Sequence, residues 1–109
     1  MKLKQGDLVL VPFPFSDLSA IKTRPALIVS NASLKGEDCL LVAVTSQSSG
    51  GRQIDLDTKD LINGELPVKS YIRPAKLVSL KKSIVRRTMG TVSQKKLKEV
   101  QTALFELLK

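Results

Sequence analysis

Residues 6–31 constrain the fold more than any other part of this 109-residue chain. An apolar run at residues 8–11 leads into Pro-Phe-Pro-Phe and a polar loop, and a second apolar run covers residues 26–29. Arg24-Pro25 stands directly before that second run. A sheet tolerates proline at the first residue of a strand, and the residue before a proline is held extended. The pattern therefore predicts strand, long loop, strand, with Arg24 at a strand entrance.

Short apolar runs separated by breakers fill most of the remaining chain. They predict strands at residues 39–45, 53–56, 68–72, 77–80 and 84–92, and a helical turn at residues 59–64 that ends at Gly64. Many short strands at such spacing favour a small barrel in a single domain, residues 1–109. The fold class expected is α+β, mainly β.

The period of the apolar residues changes after Ser93, which is a suitable helix N-cap. Five apolar residues then share one face at helical spacing: Leu97, Val100, Leu104, Leu107 and Leu108. We interpret this stripe as contact between a C-terminal helix and the sheet, and a partner chain remains open as a second neighbour of the helix.

Positive charge is concentrated in the C-terminal part of the sequence. The formal net charge of the chain is +8. Residues 1–68 hold seven basic and eight acidic side chains, whereas residues 69–109 hold eleven basic and two acidic ones. This asymmetry favours an anionic partner, either nucleic acid or an acidic protein segment, over a basic face that serves only solubility.

Composition also excludes several kinds of chemistry and location. The absence of histidine removes histidine-activated nucleophiles and histidine metal sites. The single cysteine, Cys39, lies inside an apolar run and is predicted to be an inert buried residue. No apolar run approaches the ~20 residues of a membrane helix, and residues 1–7 carry no signal-peptide core. We therefore expect a cytoplasmic protein.

Polar groups at the predicted strand ends are the remaining candidates for a site. Arg24 opens one strand, Thr45-Ser46-Gln47 closes another, and Arg73-Pro74 repeats the Arg-Pro dipeptide. Two arginines and two hydroxyls suit a phosphodiester, because arginine offers a bidentate fork and hydroxyls add directed hydrogen bonds.

Three motifs in the first half of the chain occur together at a characteristic spacing. They are Gly6-Asp7 before the Pro-Phe-Pro-Phe-Ser-Asp-Leu run, Arg24-Pro25-Ala26-Leu27, and Val44-Thr45-Ser46. Downstream, Ser70-Tyr71-Ile72-Arg73-Pro74-Ala75-Lys76-Leu77, Gly90 and a terminal helix complete the pattern. The whole resembles the MazF/PemK toxins of bacterial toxin–antitoxin systems, in particular the PemK-like branch.

This resemblance implies a small SH3-like barrel with short helices, a homodimer, and metal-independent, sequence-specific cleavage of single-stranded RNA without a cofactor. It also implies an antitoxin whose acidic, extended C-terminal segment competes with RNA for a basic groove, and operator DNA binding only through that antitoxin. Two alternatives stay open: a non-catalytic toxin that inhibits a protein such as a topoisomerase, and an inactive member that binds operator DNA with its antitoxin.

Carried over residue by residue, the resemblance makes Arg24, Thr45 and Arg73 the expected catalytic residues. The expected RNA contacts are Asp17, Ser46, Gln47, Arg52 and Lys76. Some relatives carry an aspartate shortly after the downstream arginine, where this chain has Ala75. The general base is then either Asp17, which would otherwise only shape the loop, or absent, with charge stabilisation and positioning supplying the rate.

Overall fold

The computed structural model describes residues 2–13, 22–31, 36–48 and 50–109. The strands in these ranges are β1 (Asp7–Phe13), β2 (Lys22–Ile28), β3 (Asp38–Thr45), β4 (Ile54–Leu56), β5 (Leu61–Gly64), β6 (Ser70–Lys81) and β7 (Arg87–Val92). Short 3-10 helices span Thr58–Asp60 and Lys82–Ile84, and one α-helix, α1 (Gln94–Leu108), follows β7. None of the helices in the described ranges is long and apolar enough to cross a membrane.

All seven strands belong to one antiparallel sheet with the order β4-β6-β3-β2-β1-β7-β5. The sheet curls into a half-barrel, and α1 covers one of its faces. The predicted mainly β fold with a C-terminal helix is confirmed.

The sheet has an apolar core on each face because its central strands are apolar at consecutive positions. On one face Leu27, Val42 and Val44 pack in a cluster with residues of α1. On the other face Ala26 and Ala43 belong to a second cluster that contains no residue of α1. Strands buried on both faces appear in a sequence as nearly continuous apolar runs, as residues 39–44 do.

The Gly6-Asp7 motif has a structural role at the start of β1. Asp7 is only 2% exposed, and its carboxylate accepts hydrogen bonds from the Thr91 hydroxyl (2.9 Å) and the backbone N–H of Lys4 (3.0 Å). Gly6 has a φ of 93°, in the left-handed region that favours glycine. The hydrogen bond from Thr91 connects β1 to β7. It also gives the buried carboxylate a partner, which a buried charge requires.

The predicted helical turn at residues 59–64 is wrong in its second half. Only Thr58–Asp60 is helical, and residues 61–64 form β5, paired with β7. A side chain at Gly64 would collide with the backbone oxygen of Met89, and one at Gly90 would lie 2.5 Å from the backbone oxygen of Asn63. Pairing with a strand distant in sequence, at two glycines, overrides the local signal.

The separate strands predicted at residues 68–72 and 77–80 are also wrong, because β6 is one strand of 12 residues. Its pairing with β3 changes register: Ala43 pairs with Arg73, but the adjacent residue of β3, Val42, pairs with Leu77. Residues 74–76 are thus extra residues in a bulge, which is a position where a sheet accepts proline.

The apolar stripe of α1 is only partly buried. Leu97 and Val100 pack in the core as predicted, and Leu104 is partly buried. Leu107 and Leu108 are 46% and 74% exposed, so the prediction that they contact the sheet is wrong. Ala103, which has no place in the predicted stripe, is buried because it continues the face of Val100 one turn further on.

Candidate active site

The register of β2 and β3 brings Arg24 next to Thr45. Ala26 pairs with Ala43 in these antiparallel strands, so Arg24, two residues before Ala26, lies level with Thr45, two residues after Ala43. Alternation gives Arg24 the same face as Ala26, and Thr45 the same face as Ala43. Both side chains therefore lie on the sheet face opposite α1, at the edge of the second apolar cluster.

Arg24 lies inside β2 and not at its entrance, so that part of the sequence prediction is wrong. β2 begins at Lys22, and Arg24 and Pro25 pair with Val11 and Leu10 of β1. The ladder between β2 and β3 begins only at Ala26. Pro25 therefore has a partner strand on one side only, and this explains why a proline is accepted there.

Arg73 reaches the same face from β6. It pairs directly with Ala43, so it is a diagonal neighbour of Thr45. The bulge at residues 74–76 follows immediately and directs Lys76 toward Arg73 and Arg24, with which it lines a common cavity. Ala75, in the same bulge, is exposed.

A cavity of about 150 Å³ lies between these side chains. It is lined by Arg24, Ala43, Thr45, Arg73 and Lys76. Three cations and a hydroxyl surround it, and no carboxylate from the described residues lines it. Guanidinium groups bind phosphate oxygens through paired N–H donors, so this lining suits a phosphate group.

The hydroxyl of Thr45 is oriented by its own loop. Its Oγ1 accepts a hydrogen bond from the backbone N–H of Gln47 at 3.2 Å. A hydroxyl that accepts in this way keeps its own proton available for donation. The local turn therefore prepares Thr45 to donate to an anion in the cavity.

The two arginines are held differently. The Nε atom of Arg24 is buried. Arg73 extends toward the glycine-rich loop after β3, where a Cβ atom added at Gly51 would lie 3.2 Å from its Nη2 atom. The absence of a side chain at Gly51 gives the Arg73 guanidinium its space.

A second cavity, of about 390 Å³, shares Arg24 and Thr45 with the first. The remaining lining residues are Lys22, Thr23, Pro25, Val44, Ser46, Leu66, Pro67, Val68, Ser70 and Met89. We call these the phosphate cavity (about 150 Å³) and the side cavity (about 390 Å³).

Comparison with known protein families shows to which family the chain belongs. Residues 4–108 match the family model of the PemK-like, MazF-like toxins of type II toxin–antitoxin systems. The chain belongs to this family. The resemblance inferred from the sequence motifs is thereby confirmed. No curated protein matches the toxin in sequence.

Solved structures share the fold of this toxin at low sequence identity. An endoribonuclease in complex with its cognate antitoxin, from a mycobacterial species, superposes with a TM-score of 0.78 and 19% identity, over 98% of this chain and 95% of that one. The MazE–MazF complex of Deinococcus radiodurans gives a TM-score of 0.72 and 24% identity, over 97% and 94%. These likenesses support the SH3-like MazF fold.

The predicted site residues of the toxin do not all meet in one place. Arg24, Thr45, Arg73 and Lys76 line the phosphate cavity, and Ser46 lines the side cavity. Gln47 contributes its backbone N–H to Thr45. Arg52 is exposed and lines neither cavity, and Asp17 lies outside the described residues.

Part of the side cavity has no counterpart in the sequence prediction. Residues 66–68 and Met89 carry no motif, and their apolar side chains are indistinguishable in the sequence from core residues.

Cys39 is buried as predicted, and its pKa is raised, mainly by that burial. Its thiol therefore stays protonated near neutral pH and is a poor nucleophile.

Proposed function

We propose that this toxin is an endoribonuclease that cuts single-stranded RNA at specific sequences without a metal ion, and that the phosphate cavity holds the scissile phosphate. The observation that carries the proposal is the convergence of Arg24, Thr45, Arg73 and Lys76 from three strands on one small cavity. The endoribonuclease activity of structural relatives supports it.

In the proposed reaction the 2′-hydroxyl of the RNA attacks the adjacent phosphorus and the bond to the 5′-oxygen breaks. The 2′-hydroxyl loses its proton and the departing 5′-oxygen gains one, so the products are a 2′,3′-cyclic phosphate and a 5′-hydroxyl. Negative charge builds on the non-bridging phosphate oxygens in the transition state, and Arg24 stabilises it. An aligned donor of this kind contributes about 10²- to 10³-fold to the rate.

The other residues hold the phosphate and the flanking RNA. Thr45 donates its hydroxyl proton to a phosphate oxygen, and this hydrogen bond favours in-line geometry. Arg73 is the second cationic clamp, and Lys76 neutralises charge beside it. Ser46, Gln47 and Arg52 contact neighbouring nucleotides from the loop after β3.

The remaining role is that of the general base, which takes the proton of the 2′-hydroxyl. Arginine is excluded at neutral pH because its pKa is above about 12. None of the described residues that line the two cavities is a carboxylate. The two alternatives for this role stay as the sequence left them: either Asp17 is the base, or positioning and charge stabilisation supply the rate.

The proposed partners follow from charge and family. The basic C-terminal part of the chain suits RNA and an acidic antitoxin segment that competes for the same groove, and relatives are known in complex with an antitoxin. We propose a homodimer that binds operator DNA only through its antitoxin, and action in the cytoplasm, where translated mRNA lies.

The test incubates purified toxin with a single-stranded RNA library in EDTA and maps the cut ends. We expect cuts at a restricted set of sequences, with cyclic phosphate and 5′-hydroxyl ends. Arg24→Ala should abolish them, whereas Arg86→Ala removes the same charge from an exposed residue that lines neither cavity and should leave them. A folded wild-type protein that cuts nothing would contradict the proposal.

A further inference from the structure

The side cavity adjoins the phosphate cavity and is built for a different chemical group. Arg24 and Thr45 line both, so a ligand in the side cavity lies beside any phosphate bound between the arginines. Its volume of about 390 Å³ falls within the range of about 300–1,000 Å³ that is usual for small-molecule sites.

The lining of the side cavity combines apolar side chains with hydroxyls and cations in equal number. Residues 66–68 (Leu-Pro-Val) and Met89 form an apolar wall, and Thr23, Ser46 and Ser70 add hydroxyl groups. Lys22 is the one lining cation not shared with the phosphate cavity among the described residues. A heterocycle with polar edges suits this lining, because it packs against the apolar wall while its edges meet the hydroxyls.

Side-chain hydrogen bonds fix the wall in place. The Thr58 hydroxyl accepts from the backbone N–H of Leu66 (3.0 Å) and lies 3.3 Å from its carbonyl oxygen, to which it can donate. The Ser70 hydroxyl donates to the carbonyl oxygen of Val68 at 3.2 Å. A wall held at both ends needs little ordering when a ligand binds, and this preserves affinity.

Lys69, in the same segment, forms ion pairs with Asp55 of β4 and with Asp57, which directly follows β4. Its Nζ lies 3.5 Å from a carboxylate oxygen of Asp55 and 3.8 Å from one of Asp57. These two carboxylates raise the pKa of Lys69, Asp55 more than Asp57.

We propose that the side cavity binds the base of a nucleotide adjoining the scissile phosphate, and that the wall at residues 66–68 determines which base is accepted. The inference rests on the proposed endoribonuclease function and extends it. Covalent linkage places a base next to its own phosphate, and Val68, although apolar, is 55% exposed and available for contact.

A double-mutant cycle between protein and RNA tests this. Cleavage is measured on RNA that carries an abasic ribonucleotide, with its 2′-hydroxyl intact, on the 5′ or the 3′ side of the mapped cut. We expect removal of the base on one side to lower kcat/KM of the wild type about 10-fold. In Val68→Ala that loss should be smaller by about 3-fold or more, because the two partners are coupled.

Ile62→Ala is the matched control, because Ile62 is an aliphatic residue with 67% exposure that does not line the side cavity. It should leave the effect of base removal unchanged. If the wild type cuts RNA but Val68→Ala couples to neither base, this inference fails and the proposed function stands. If the wild type cuts no RNA, both fail. If Val68→Ala weakens binding of a synthetic Glu/Leu peptide without coupling to a base, the wall is a peptide surface and the inference is wrong.

Discussion

The two Arg-Pro dipeptides of this chain, Arg24-Pro25 and Arg73-Pro74, are identical in sequence but differ in structure. Arg24-Pro25 continues a regular antiparallel pairing with β1. Arg73-Pro74 stands where the pairing of β6 with β3 breaks and three residues bulge out. Pro74 is among the fully buried side chains, whereas Pro25 is half-buried. The backbone accommodates the same dipeptide in two ways.

Despite that difference, both arginines line the same cavity. The regular pairing places Arg24 level with Thr45, and its Nε atom is buried. The bulge places Arg73 beside Ala43 and adds Lys76, and the end of Arg73 lies against the loop at Gly51. The comparison suggests that Arg24 is the rigid catalytic donor and that Arg73 is a more adjustable clamp.

The largest effect is expected for Arg24→Ala. It should lower kcat on RNA by about 10²- to 10³-fold, since it removes the aligned donor to the transition state. Arg24→Lys should recover little, because lysine lacks the planar fork. Single-turnover cleavage measures this, and unchanged thermal unfolding controls for the fold. Comparable activity in Arg24→Lys would show that charge alone suffices.

Arg73→Ala should have a smaller effect, about 10- to 100-fold on kcat/KM, as expected for loss of a hydrogen bond to a charged group. If Arg73 is a clamp, much of the loss should appear in KM, because uniform binding affects the ground state as well as the transition state. A loss confined to kcat and as large as that of Arg24→Ala would make the two arginines equivalent and would contradict the comparison.

Replacement of each proline by alanine should change the free energy of unfolding by different amounts in the two backbone arrangements. Pro74→Ala should lower the free energy of unfolding by about 2 kcal/mol, through lost apolar burial and a freer unfolded chain. Pro25→Ala should cost about 1 kcal/mol, because Pro25 is only half-buried. Urea denaturation at equal protein concentration measures both. Equal losses of unfolding free energy in the two variants would mean that the burial of Pro74 at the bulge does not contribute to stability.

The smallest effect is expected for Gly51→Ala. Its new Cβ atom would lie 3.2 Å from Nη2 of Arg73, and the flexible end of that side chain should move aside. We expect a loss of about 3-fold in kcat/KM from the misplaced guanidinium, with stability almost unchanged. Gly50→Ala is the control, because nothing lies within 4 Å of a Cβ atom at that position. Equal kinetics of the two variants would show that Arg73 does not depend on this space.

The sequence predicted Arg24, Thr45 and Arg73 as site residues, and it is the pairing of consecutive strands that brings the first two together. β2 and β3 are neighbours in both the chain and the sheet, although Arg24 lies inside β2 and not at its entrance as predicted. The sequence did not predict that β6 pairs with β3, or that residues 61–64 pair with β7, because both are contacts between distant segments. Local propensity carries no information about such pairing.

By itself, then, the amino-acid sequence determined the mainly β fold, the C-terminal helix, the family, and the candidates Arg24, Thr45 and Arg73. Those features follow from apolar periodicity, breakers and motifs, which are local. Lys76 and Arg52 were both predicted as RNA contacts, and only the tertiary structure decided that Lys76 lines the cavity of the two arginines while Arg52 does not. It also decided that residues 66–68 line a second cavity. The physical reason is that strand pairing sets which distant side chains share a face, and one bulge changes the positions of those that follow it.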